Sequence, residues 1–255
     1  MKNKIKFKIP VANPTVGKEE AEAVYKKINS GWISMGPEVH LFENKVKSFL
    51  KVKNAVAMNN GTSALDSILT ALNIKQNDEV IVPSLTYIST ANVVSYKKAK
   101  LVLCDSDEDT FNVNIKSLEK KITKKTKLII VTDMKGMPVE YDVLKKLSKK
   151  NNIPIISDSA ESFGAKYKNK KIGSQLLAHT FSFFANKNLT TGEGGMVVTN
   201  NDKLAKKLRI IRNQGQNKRY NHILLGNNYR MTDTSAAMGI VQLKKLPKAL
   251  RKKQI

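Results

Sequence analysis

With 255 residues, 41% of them hydrophobic, the chain is long enough for one large domain or two ordinary ones and apolar enough to bury a core, which excludes a disordered polypeptide. No run approaches the ~18 uncharged apolar residues of a membrane span. Residues 1–9 lack the apolar stretch of a signal peptide, and the single cysteine, Cys104, excludes an internal disulfide, so a cytoplasmic setting is expected. The formal charge of +24 on its own points to a nucleic-acid or membrane-surface partner. The lysines, however, fall as scattered pairs such as Lys97-Lys98, Lys145-Lys146 and Lys206-Lys207, without interleaved aromatics. They read as a solvated surface, with no specific nucleic acid and no membrane as partner.

In chain order, the pattern predicts helices over 17–28 and 38–50 and a strand over 54–58. Leu65, Ile68, Leu69 and Leu72 then recur at three, four and seven residues, the core face of a helix. Strands are predicted over 79–82, closed by Pro83, and over 100–104, where Leu101-Val102-Leu103-Cys104 reads as a buried strand. Strands over 127–131 and 153–157 alternate with helices over 115–122 and 141–150. Two late strands, 180–184 and 196–199, flank a glycine turn. Helices over 202–212 and 232–243 carry the apolar stripes Leu204/Leu208/Ile211 and Ala236/Ile240/Leu243, and 243–255 is charged and helix-like. Such alternation of helix and strand suits a mainly parallel, layered α/β sheet.

Four segments carry chemistry. Asn60-Gly61-Thr62-Ser63-Ala64-Leu65 lies between a strand and a helix, so its N–H groups and hydroxyls either cradle a phosphate or leave Thr62 as a plain N-cap. Asp158, in Ser157-Asp158-Ser159-Ala160-Glu161, stands at the carboxyl end of a strand, where open α/β sheets place ligands. It can keep a pyridinium nitrogen protonated, bind a metal, or cap a helix; with His40, His179 and His222 far apart in sequence, no metal cluster supports the second option. Lys187 follows the apolar Phe181 to Phe184 run and precedes Gly192-Glu193-Gly194-Gly195. Desolvation there favours the neutral amine that attacks an aldehyde, the alternative being a surface lysine before a hairpin. Gly226 to Asp233 crowds donors, among them Asn228 and Arg230, at the entrance to a helix.

Together these segments resemble the DegT/DnrJ/EryC1/StrS aminotransferases, pyridoxal 5'-phosphate (PLP) enzymes acting on keto-sugars. The match runs in order from about residue 9 to the last, through Ser30-Gly31-Trp32, Asn60 to Leu65, Val82-Pro83-Ser84-Leu85-Thr86-Tyr87, the Asp158 segment, Ser182 to Gly195, and Asn228-Tyr229-Arg230-Met231-Thr232. The resemblance implies the large domain of the fold type I PLP transferases, a mainly parallel seven-stranded sheet between helices. It implies Lys187 as the Schiff-base lysine and proton carrier, and Asp158 as the partner of the pyridinium nitrogen. Tyr87, which by position alone reads as core, would stack on the cofactor ring; Gly61, Thr62, Ser63 and Ser182 would hold its phosphate. Asn228 would reach the phosphate of a neighbouring subunit, implying a homodimer with shared active sites. Trp32 and Arg230 are candidates for the substrate. Glu161 matches a cofactor-side position that is often Gln in the family and is Glu in perosamine-type branches, to which 180–195 is also similar. A dehydratase branch replaces the lysine by His; Lys187 is present here, so transamination is expected. The implied reaction moves an amino group from L-glutamate or glutamine to a nucleotide-linked keto-sugar, in amino-sugar or surface-polysaccharide synthesis. Relative to the family, the large domain is expected over 1–245, with an N-terminal arm over 1–17. Residues 246–255 would begin a small domain that is largely missing, and a catalytically impaired remnant is the alternative reading.

Overall fold

Runs such as Val80-Ile81-Val82 and Leu128-Ile129-Ile130-Val131 are apolar on both faces, which suits the interior of a parallel sheet covered by helices on each side. The computed structural model describes residues 14–252, so residues 1–13 of the expected arm and residues 253–255 lie outside the described residues. Its elements are α1 (Lys18–Asn29), α2 (Pro37–Leu50), β1 (Asn54–Met58), α3 (Gly61–Ala71), β2 (Glu79–Pro83), α4 (Ser89–Tyr96), β3 (Lys100–Cys104) and α5 (Ile115–Lys121). They continue with β4 (Thr126–Thr132), α6 (Tyr141–Asn151), β5 (Ile155–Asp158), β6 (Lys166–Tyr167), β7 (Lys170–Lys171), β8 (Ala178–Ser182) and β9 (Gly195–Thr199). The last are α7 (Asp202–Arg212), β10 (Gln216–Lys218), β11 (Asn221–His222) and α8 (Asp233–Lys252).

The main sheet has seven strands in the order β1-β9-β8-β5-β4-β2-β3. Strands β3, β2, β4, β5 and β8 are parallel, and β9 alone runs antiparallel to its neighbours β8 and β1. Alternate residues feed two cores. Ile129, Val131, Ile155 and Phe181 pack with Phe42, Leu144 and Leu246 from α2, α6 and α8. Ile130 and Ile156 pack with Leu65, Leu69, Val93 and Leu208 from α3, α4 and α7 on the other face.

Three expectations change. The strand read as buried at Cys104 is the sheet edge: with no outer neighbour, Leu103 is 50% exposed, although Cys104 itself is buried. Burial lifts that thiol to about 11, so it stays protonated and inert at neutral pH. Helix α4 was not expected, because Ser89-Thr90-Ala91-Asn92 opens it without an apolar period; buried Val93 and Val94 hold it in place. β8 starts two residues before the predicted 180, where Ala178 pairs with Ile156. Helix α8 spans residues on both sides of position 245 and continues through Pro247 to Lys252.

Asp233, at the start of α8 and fully buried, caps a different helix. Its Oδ1 accepts from the N–H groups of Gly36 (2.8 Å) and Val39 (3.1 Å), and its Oδ2 from that of Glu38 (3.2 Å). Farther along α8, Gln242 donates to Glu20 at 2.8 Å and Lys245 pairs with the same carboxylate at 2.8 Å, so α8 fastens both N-terminal helices.

His179 on β8 is fully buried and its pKa falls from 6.5 to about 3, chiefly through desolvation. The unfolded chain is then the proton-richer state below pH 6.5, so stability is complete above that pH and is lost as pH falls toward 3. We predict that unfolding free energy drops with a slope approaching 1.4 kcal/mol per pH unit, roughly, below the ordinary histidine range. In His179→Asn, urea unfolding between about pH 6.5 and pH 5 should lose most of that slope.

Candidate active site

The strand order turns back at β2: the chain runs from β2 outward to β3, then returns to lay β4 on the other side of β2. Ligands in open α/β sheets sit outside the carboxyl ends of strands at such a point. There the hydroxyl of Thr86 lies 3.0 Å from that of Thr132 and 2.9 Å from that of Thr90. Thr90 in turn donates to Asp158 Oδ2 at 2.7 Å. Because Thr90 has one hydroxyl proton and gives it to the carboxylate, Thr86 donates to Thr90 and Thr132 to Thr86. Asp158 ends β5, is 5% exposed, and accepts at Oδ1 from the N–H of Ala160 at 3.2 Å. Burial raises its pKa, opposed by the bonds from Thr90 and Ala160 and by the charge of Lys187.

The segment after β1 builds the anion cradle. Asn60, not Thr62, caps α3: its side chain accepts from the N–H of Ser63 at 2.8 Å and its carbonyl from that of Ala64 at 3.2 Å. The N–H groups of Gly61 and Thr62 remain at the positive end of the helix. The hydroxyl of Thr62 lies 2.9 Å from that of Ser89, which ties α3 to α4. Ser182, at the end of β8, packs directly on Gly61, where a Cβ would meet the Ser182 Cβ at 3.1 Å. Gly195 is under a harder constraint, since a Cβ there would run into the Asn60 carbonyl.

Lys187 stands in the loop beyond β8, its N–H donating to the Phe184 carbonyl at 3.0 Å. Its side chain is 17% exposed, and Nζ lies 3.2 Å from Glu161 Oε1. Glu161 Oε2 accepts from the N–H of Lys135 at 3.1 Å, so the carboxylate is aimed at the lysine from a fixed loop. Tyr87 does not join the core: its carbonyl accepts from the N–H of Thr90, and its ring is 75% exposed. Beside Glu161 a cleft of about 740 Å³ opens, lined in part by Lys135, Lys166, Lys171 and Arg251.

Gly61, Thr62, Ser63, Asp158, Ser182, Glu161 and Lys187 thus gather at one end of the sheet, with Tyr87 on the segment leading into α4. For Trp32, Asn228 and Arg230, no hydrogen bond among the described residues joins them to Asp158 or Lys187, although the Tyr229 carbonyl between the last two accepts from the N–H of Asn59, beside the cradle, at 2.9 Å. Trp32 is 56% exposed; Arg230 donates to Asn213 at 2.8 Å, and Tyr229 between it and Asn228 donates to Asp66 at 3.0 Å. Sequence reasoning missed Thr86, Ser89, Thr90 and Thr132. The hydroxyl run Thr86, Ser89, Thr90 directly after the strand-closing Pro83 was the available signal.

The model of the DegT/DnrJ/EryC1/StrS aminotransferase family matches residues 14–255. The GDP-perosamine synthase of Caulobacter vibrioides is 44% identical over 246 residues, 95% of this chain and 66% of that protein. Among solved structures, Helicobacter pylori PseC, an aminotransferase involved in the biosynthesis of pseudoaminic acid, superposes with a TM-score of 0.88 at 34% identity, covering 93% of this chain and 66% of that one. The E. coli GDP-4-keto-6-deoxy-D-mannose-3-dehydratase with bound hydrated PLP superposes with a TM-score of 0.89 at 29% identity, covering 93% of this chain and 68% of that one. The chain therefore spans about two thirds of the length of the relatives it matches.

Thr90→Val should leave Asp158 buried with one oxygen unpaired and cost about 1–3 kcal/mol of unfolding free energy in urea. Thr90→Ser, which keeps the hydroxyl, should recover most of that loss.

Proposed function

Because the chain belongs to the DegT/DnrJ/EryC1/StrS aminotransferase family, we propose that it binds PLP and moves an amino group from L-glutamate or glutamine to a nucleotide-linked keto-sugar. The reading rests above all on the convergence of Lys187, the buried Asp158 and the Gly61 cradle at one end of the sheet. These residues fit the cofactor chemically. The α3 N-terminus with Thr62, Ser63 and Ser182 offers donors for a phosphate, and Gly61, having no Cβ, lets Ser182 pack directly on that terminus. Asp158 is an anion already bonded by Thr90 and Ala160, suited to a protonated ring nitrogen. Tyr87 offers an exposed aromatic face.

When bound, the cofactor supplies an aldehyde and a ring that withdraws electrons from the reacting carbon. Lys187 Nζ would be the amine that holds this aldehyde, and, once displaced, the same nitrogen would move a proton between the substrate carbon and the cofactor carbon in each half of the reaction. Asp158 would keep the ring nitrogen protonated, and the threonine series behind it prevents the carboxylate from turning away. Glu161 holds Lys187 within the site by its charge. A nucleotide-linked sugar is the substrate class in keeping with relatives named for GDP-linked sugars.

A second copy of the chain completes the proposed enzyme. Trp32, Ile33, Ile88, Tyr220 and Leu225 expose more than half of their surface, an apolar display suited to a subunit interface.

Mixing the chain with PLP should produce a protein-bound visible absorbance band that bleaches on addition of L-glutamate. Lys187→Ala should abolish the band and lower turnover by roughly 10²–10⁴-fold or more. An unchanged band in that variant removes Lys187 from its role. For shared sites, two inactive variants, Lys187→Ala and Asn228→Ala, should regain about a quarter of full activity when unfolded and refolded together, because half of the dimers carry one intact site. No recovery, with dimers present in sedimentation, would assign both residues to one subunit's site.

A further inference from the structure

A second polar cluster lies on the opposite face of the sheet from Asp158. Strand alternation puts Asp158 on the α3/α4 side with Ile156, and puts Ser157 with Ile155 on the α2/α6/α8 side. Asp133, one residue beyond β4, belongs to that second side and is fully buried. Its Oδ1 accepts from Tyr141 Oη (2.7 Å) and the Val139 N–H (3.1 Å). Its Oδ2 accepts from Ser159 (2.6 Å) and Ser157 (3.0 Å), with Tyr141 Oη at 2.7 Å and Ser162 at 3.3 Å. The direction of these bonds follows from His179. Its Nε2 accepts from the Leu176 N–H at 3.3 Å, so Nδ1 carries the ring proton and donates to Ser159 Oγ at 3.0 Å. Ser159 is then free to give its own proton to Asp133.

The carboxylate's lone-pair sites are filled by donors, and a proton on Asp133 would turn one donor against another. Burial pushes its pKa upward, but the surrounding hydroxyls favour the anion. No cation among the described residues bonds to it. An unpaired buried anion is costly, and apolar groups would fill this space more cheaply if packing were its only role.

What the cluster holds is the backbone on either side of Asp158. The N–H of Asp133 donates to the Asp158 carbonyl at 3.2 Å, and that of Ser159 to the Thr180 carbonyl at 2.9 Å. Ser157 and Ser159, the two residues flanking Asp158, are both bonded through their side chains to Asp133. His179 adds β8, which carries Ser182, and Tyr141 adds α6.

We propose that Asp133 is a positioning residue: acting through the sheet from its far face, it fixes the aim of the Asp158 carboxylate at the cofactor's ring nitrogen. This rests on the PLP reading above. The threonine series secures Asp158 by its side chain, and Asp133 secures it by its backbone.

The test uses the full chain with Asp133→Asn, Tyr141→Phe and Ser159→Ala. Ser67→Ala serves as control, since it removes a fully buried hydroxyl bonded only to the Ala64 carbonyl at 2.8 Å. Without cofactor, amide exchange at Asp133 and Ser159 should quicken in the three variants and not in the control. With PLP labelled at the ring nitrogen, nitrogen NMR should read a protonated ring in the wild type and a shift toward the unprotonated form in the variants. Cofactor affinity should fall roughly tenfold to a hundredfold. Should Asp133→Asn fail to fold, the two milder variants decide. A wild-type ring signal and affinity in Tyr141→Phe and Ser159→Ala overturns the proposal, as does an equal loss in Ser67→Ala. A wild-type chain that binds no PLP instead takes down the cofactor reading, and this proposal with it.

Discussion

A carboxylate removed from water must be solvated by protein groups, and Asp158 meets that demand at the open end of a parallel strand. Only side chains from neighbouring segments can reach it there. Thr90 supplies the bond, so α4 has to begin where it does, immediately outside β2. The next residue back, Ser89, meets Thr62, so the helix that solvates the carboxylate also braces the anion cradle of α3. The cradle, the carboxylate and the exposed Tyr87 ring are therefore set by one short helix with little helical propensity of its own. Its position is dictated by partners, not by its sequence.

The same strands carry two polar clusters back to back. Period-two alternation sends Asp158, Thr180 and Ser182 to one face and Ser157, Ser159 and His179 to the other. Both clusters break into runs that are otherwise apolar, and each is satisfied without direct contact between their side chains. The backbone between them transmits the constraint. Lys187, by contrast, belongs to a loop and has its place set by a counter-charge, Glu161, itself held by the Lys135 N–H.

Much of the architecture was legible in the sequence because it depends on periodicity. The strand over 54–58 and the helix over 202–212 were read with their observed bounds, and the apolar faces of α3 and α7 with their residues. Membership of the aminotransferase family and the mainly parallel seven-stranded sheet were legible in the same way, through ordered motifs. What escaped was tertiary. The solvation of Asp158 by Thr90, the burial of Asp133, and the edge position of β3 each depend on which segment ends up beside which. Thr62 looked like the cap of α3 because a hydroxyl one position inside a helix start is hard to distinguish from the cap itself; Asn60, with its reach to the N–H of Ser63, holds that place.

The capping of α2 by Asp233 has a consequence for how the chain comes together. A helix N-terminus left open to water is weakly formed, and the group that closes this one lies nearly two hundred residues later, on α8 (|i−j| of 197 for the Gly36 bond). Glu20 on α1 likewise waits for Gln242 and Lys245. During synthesis α1 and α2 thus leave the ribosome well before the groups that secure them. Pairing across such a separation delays consolidation, and the apolar face of α2 stays open in the interval. A chaperone that acts on this protein would find its natural hold there, on a segment made well before its partners.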